Sequence, residues 1–170
     1  TFLAIPMRTF LPVFAKDIFH RGPETYTAFV SVVGVGSVVG ALLVAWLGQI
    51  RRKGRVALIM LIILGVVIGG FALSKVLPLS FVLLFICGTS TIGVFTMVTS
   101  LVQLITTNEM RGRVMSAYNF AFRGGMPMGN LMTGLLVPKY TAPVVLAVDG
   151  ALRVVLSIYF LTAQRKVAAL

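Results

Sequence analysis

The sequence predicts an all-α integral membrane fold of six transmembrane helices, and three observations carry that expectation. Hydrophobic residues make up 58% of the chain, charged residues 11%, and the mean hydropathy is +1.02. A soluble domain carries about 25% charge, and 170 residues cannot hide so much apolar surface in a water-soluble fold. Second, apolar runs of about 20 residues, the length that spans a bilayer as helix, recur along the chain. Third, many of the basic residues behind the net charge of +11 gather in short segments between those runs, as the positive-inside bias expects. This placement speaks for topology, so the lipid bilayer is an expected partner and nucleic acid is not.

The spans are expected over roughly 1–20, 25–50, 56–74, 79–106, 114–137 and 143–163, with ends good to a few residues. The first is apolar from Thr1 and carries Arg8 between Pro6 and Pro12. It opens without a signal-peptide pattern, so the chain reads as a fragment whose N-terminal part is missing. Arg21-Gly22-Pro23-Glu24 stops it. The second span ends near Trp46, a residue suited to the membrane interface. The basic run Arg51-Arg52-Lys53-Gly54-Arg55 separates it from the third, and Lys75 and Pro78 mark the turn into the fourth. A polar turn with Arg111, Gly112 and Arg113 leads into the fifth, and Pro138, Lys139 and Pro143 bound the sixth.

Arg51, Arg52, Lys53, Arg55, Arg111, Arg113, Arg165 and Lys166 fall in alternate connections and the C-terminal tail. That set defines the cytoplasmic side, with the C-terminus inside. The other side holds Arg21, Lys75 and Lys139, with Lys16 at its margin.

Polar residues within apolar spans are the functional candidates, because in lipid they turn toward protein or a watery cavity. Thr89, Thr96, Ser100 and Gln103 recur at helical spacing along the fourth span, with Gly93 on the same face and Thr99 beside it. They suit a cavity wall, with Thr96 and Gln103 the leading members, or helix packing. Asn119, Arg123 and Asn130 share a face of the fifth span. Arg123 suits an anionic substrate group, since its fork matches a carboxylate, or a structural clamp with Asp149. Gly125 and Gly129 form a GxxxG step around Pro127, which removes a backbone donor and kinks the helix. Gly36 and Gly40, and Gly65 and Gly69, repeat the packing step. Asp149 and Arg153 stand four apart on the sixth span and meet on one face. They read as a neutralising ion pair, or Asp149 as a proton-coupling site. His20, with Lys16 and Asp17, suits the interface.

Nothing in the sequence suits an enzyme, a metal or a cofactor. The single cysteine, Cys87, sits in an apolar run. Gly34-Val35-Gly36 does not follow a strand, so it is no dinucleotide loop, and no phosphate loop for ATP is present.

Two segments carry a family resemblance. Gly48-Gln49-Ile50-Arg51-Arg52-Lys53-Gly54-Arg55 resembles the basic loop between the second and third helices of a major facilitator half. RGRVMSAYNFAFRGGMPMGNLMTGLL, residues 111–136, is similar to the region of the fifth helix in the enterobactin-exporter-like branch of transmembrane secretion effectors. The resemblance covers essentially the whole chain and implies the C-terminal half of a twelve-helix transporter. It implies a cavity beside the fourth helix and a peripheral sixth helix; Arg8, a further cavity candidate, needs water, a carbonyl or an acid from elsewhere, which the missing half could supply. It implies ion-gradient-driven efflux of a small hydrophobic or amphiphilic substrate, antiporter-like, in a bacterial inner membrane, with the missing N-terminal half as partner. The loop departs from the family pattern, which usually places an Asp just before the first basic residue; here Ile50 precedes Arg51. The alternative is a non-transporting module or scaffold half that assembles with a partner.

Overall fold

A computed structural model describes residues 6–46, 53–136 and 140–163. The described residues form helices without strands: α1 (Pro6–Val13), α2 (Pro23–Trp46), α3 (Lys53–Leu73), α4 (Leu77–Ile105), α5 (Arg111–Leu136) and α6 (Ala142–Ala163). Among these, α2, α3, α4 and α6 are long and apolar enough to cross a membrane.

From Pro6 onward the first segment is irregular. Pro12 lies inside α1, where it removes a donor and crowds the preceding turn. The backbone then widens into π geometry over Phe14–Ile18. His20 adopts a left-handed conformation, φ 49°, and the Arg21 amide donates to the Ala15 carbonyl at 2.9 Å. That bond closes seven residues, one more than the 6→1 bond of a Schellman stop, as the preceding π turn requires, and its left-handed residue is histidine rather than glycine.

Helix α5 is long enough to span, at 26 residues, but it carries Arg111, Arg113, Asn119, Arg123 and Asn130. Both basic runs also start helices earlier than hydropathy suggests. Lys53, Gly54 and Arg55 form the first turn of α3, and Arg111, Gly112 and Arg113 the first turn of α5. Cations at a helix N-terminus oppose the macrodipole, but only by about 0.3–1 kcal/mol each. Extending a long helix by one turn overcomes that.

The helices stack in the order α6–α3–α4–α2, with α1 touching α2, α5 and α6. Close backbone approach makes this order possible. On α2 and α4, which run parallel, a Cβ at Gly36 would strike the Phe85 carbonyl, and one at Gly88 the Val33 carbonyl. Hydroxyls bridge the same seam: Thr89 Oγ1 donates to the Gly36 carbonyl at 2.9 Å, and Ser37 Oγ to the Gly88 carbonyl at 3.4 Å. On α3 and α6, which run antiparallel, a Cβ at Gly150 would lie 2.6 Å from the Gly65 carbonyl. Small residues serve this way in lipid, where packing and interhelical hydrogen bonds replace the hydrophobic drive.

An aromatic knot fills one end of the bundle. Phe71 of α3 lies 4.7 Å from Phe14 and 6.1 Å edge-on from Phe29 of α2, and Phe29 lies 5.3 Å from Phe81 of α4. Beside it, Ser74 and Ser80 tie the short α3–α4 turn. The Val76 amide donates to Ser74 Oγ at 3.3 Å, and Ser80 Oγ donates to Ser74 Oγ at 3.2 Å. Among the described residues, α5 contributes nothing to this buried core.

Candidate functional site

Helix α5 stands apart from the stack, touching α4 and α1. Among the described side chains of α5, Val114, Met115, Tyr118, Phe122, Gly125 and Gly129 are half-buried or buried, at the spacing of a helix face. Asn119 and Arg123 lie on a different face and are exposed, together with Ser116 and Phe120. The helix therefore presents polar side chains outward in a chain whose other long helices are apolar. Pro127 is inside α5 and exposed. The side chains of Arg8 and Asn130, and all of Arg51 and Arg52, lie outside the described residues.

The polar stripe expected on α4 divides between neighbours. Thr89 bonds to α2. Gly93 is buried where an added Cβ would meet the Met60 side chain of α3. Ser100 accepts a hydrogen bond from Lys53 Nζ of α3 at 2.8 Å. Thr96 is half-buried, and Gln103 is exposed near the end of the helix. Thr99 Oγ1 turns back to the Phe95 carbonyl of its own helix. One straight stripe meets two different helices because α2 and α3 flank α4. Lys53 thereby links the basic turn at the start of α3 to α4, while Arg55, Arg111 and Arg113 stay exposed.

Asp149 and Arg153 are buried on α6, 6% and 3% exposed, and Arg153 Nη2 donates to Asp149 Oδ2 at 2.6 Å. The clamp expected between Arg123 and Asp149 does not form: Asp149 is taken by its own helix and Arg123 stays exposed. A partner one helical turn away is always within reach, whereas one on α5 needs that helix placed against α6. The Arg153 carbonyl accepts from Ser157 Oγ at 2.7 Å. Arg153 Nε is buried with no acceptor among the described residues.

Arg153 also lines a cleft of about 490 Å³ between α3, α4, α5 and α6. Phe95 of α4 and Phe122 of α5 line it in direct ring contact, centroids 5.1 Å apart, and Tyr118 stacks on Phe122 at 6.1 Å. Sequence reasoning missed this cleft. The one available signal was the aromatic pair Tyr118 and Phe122, four apart on α5, and aromatic residues draw no contrast in so apolar a chain.

Among the described residues no group of His, Cys, Asp and Glu is arranged to hold a metal ion. What remains is a helical membrane bundle with a polar face open on α5 and a buried ion pair beside an apolar cleft.

No curated protein and no solved structure matches the chain. The sequence profile of the family Transmembrane secretion effector matches residues 1–169. With nearly its whole length matched and its helices apolar enough to span a bilayer, the chain belongs to the transmembrane secretion effector family of major facilitator transporters.

Proposed function

We propose that this chain is one six-helix half of a secondary active transporter, exporting a small hydrophobic or amphiphilic molecule by alternating access. The observation that carries the reading is the exposed polar face of α5. Asn119 and Arg123 point away from their own bundle, and a guanidinium facing hydrocarbon is costly. In a membrane that face requires water or a second set of helices. A partner half of like architecture supplies both, since transporters of this kind hold substrate near the midplane between two repeats that rock about it. Helix α5 suits the moving wall: it is weakly held by the stack and holds Pro127 between Gly125 and Gly129. Export, an ion gradient as driving force, a bacterial inner membrane and a cytoplasmic C-terminus belong to the same proposal, supported by family membership and by the Lys/Arg bias of the connections.

Arg123 is the substrate-facing residue of this reading. Arg123→Lys keeps the charge and removes the planar fork. Export of hydrophobic dyes from cells carrying the complete transporter is expected to fall about tenfold, the equivalent of 1.4 kcal/mol, with the amount of protein in the membrane unchanged. Export at the original rate would remove Arg123 from the substrate path.

A further inference from the structure

We propose, resting on the two-half transporter reading above, that the α5 face holding Arg123 binds a carboxylate on an apolar body. The substrate is then an anionic amphiphile, not a neutral or cationic one.

Two arginines with described side chains lie well inside helices, and their surroundings differ. On α6, Arg153 follows Asp149 by four residues and donates to it at 2.6 Å. On α5, Arg123 follows Asn119 by the same step, and both are exposed. That spacing puts two side chains on one helix face. Where α6 has a carboxylate, α5 has an amide of the same shape. The Arg123 guanidinium therefore keeps the charge that Arg153 has neutralised. Proton loss is not open to a guanidinium, so within a membrane the charge requires water or an anion.

This chain has no acid to give it. Of its four acidic residues, Asp149 is held by Arg153. Asp17 and Glu24 lie on either side of the turn into α2, and Glu109 stands in the turn before α5. Arg123 lies about 18 Å along α5 from Arg111, far from that turn. Among the described residues it has no ion-pair partner.

The stripe around Arg123 suits an amphiphile. Arg113, Ser116, Asn119, Phe120 and Arg123 are all exposed and recur at three- and four-residue steps. An anion moving inward from the basic turn meets a donor at every step, whereas a cation meets like charge at both ends. The Arg123 fork can take both oxygens of a carboxylate, and the Asn119 amide offers two further N–H donors. Phe120, 82% exposed, and Leu131 lie on either side of Arg123 along the stripe and offer apolar surface to the body. A neutral molecule leaves the guanidinium unpaired, and a cation adds repulsion in a medium of low dielectric.

The test uses the complete transporter in nanodiscs of zwitterionic lipid. Three fluorescent probes share one body and differ at one end: dansylaminododecanoate, its methyl ester and the trimethylammonium analogue. The carboxylate is expected to half-saturate at a concentration about tenfold below the ester, the effect of hydrogen bonds between charged groups. The trimethylammonium probe is expected to bind more weakly than the ester. Asn119→Asp copies onto α5 the pairing of Asp149 with Arg153, at no change of size, and is expected to bring carboxylate and ester level. Arg123→Gln is expected to do the same, with ester binding unchanged as the sign of an intact fold. Equal half-saturation by carboxylate and ester in the unaltered protein would overturn the proposal. So would a carboxylate preference that survives either substitution, or tightest binding of the trimethylammonium probe, the mark of an acid supplied by the partner half. Transport is read separately, as gradient-driven accumulation of the probes in inverted membrane vesicles. Equal accumulation of ester and carboxylate removes the anion preference and leaves the transporter. Carboxylate preference in binding, with no accumulation of any probe, removes the transport reading and leaves the anion site.

Discussion

Gly88→Leu is expected to part α2 from α4 and to abolish recovery of folded protein from the membrane. A Cβ at this position already strikes the Val33 carbonyl and approaches the Ser37 amide nitrogen to 3.1 Å. The obstacle is backbone, so no side chain can swing aside, and the helices must separate. Separation also breaks the bonds from Thr89 to Gly36 and from Ser37 to Gly88. Overpacking of well-packed sites costs about 1–3 kcal/mol where side chains can relax, and this site lies at or beyond the upper end. Gly34→Ala on the facing helix α2 is the control, because a Cβ there meets nothing within 4 Å. It is expected to be neutral or to gain up to about 1 kcal/mol from helix propensity. Thermal unfolding of both variants in detergent, read by monodisperse elution after heating, separates the two outcomes. A Gly88→Leu protein as heat-resistant as the original would show that the α2–α4 seam is not closed as described.

Removing one member of the α6 ion pair is expected to harm the fold far more than removing both. Asp149→Leu leaves the Arg153 guanidinium buried and uncompensated, at a cost of about 3–5 kcal/mol. Arg153→Met does the same to the carboxylate. The double replacement, with residues of similar volume, is expected to recover most of that loss, because taking two charges out of water offsets much of their attraction. The position of the pair makes the effect large. Gly150 sits between its members in sequence and lets α6 approach α3 until a Cβ would lie 2.6 Å from the Gly65 carbonyl, so water has little access. Melting temperatures of the two single variants and the double variant form a closed cycle. Additive losses would mean that the charges are solvated and the pair is weak.

The class of the fold was legible because an apolar excess this large has few solutions, and the helix is the one that satisfies its own backbone in lipid. Helix ends were less legible. Lys53 and Arg111 look like loop residues by charge, yet each starts a helix, since the dipole cost is small against one more turn of hydrogen bonds. The first segment reads as one span by hydropathy, which does not register the π widening over Phe14–Ile18 after Pro12 or the left-handed His20.

The candidate site was legible where chemistry is local. The spacing of Asp149 and Arg153 alone brings them within reach, and a partner from α5 was never needed. The α4 stripe was harder, because periodicity locates a face without naming what lies against it. Thr89 faces α2 and Ser100 faces α3. The cleft was invisible, since a cavity is the space left between helices and no single residue encodes it.

In a two-half transporter the α5 face holding Asn119 and Arg123 borders water within the membrane. Single cysteines placed at Asn119, Arg123 and, as a lipid-facing reference, at Val38 of α2, in a Cys87→Ala background, test it most directly. Reaction with a charged, water-soluble thiol reagent requires the thiolate and hence water. Rapid modification is expected at positions 119 and 123 in membranes of the complete transporter, and little at 38. Reaction at 119 and 123 no faster than at 38 would contradict it.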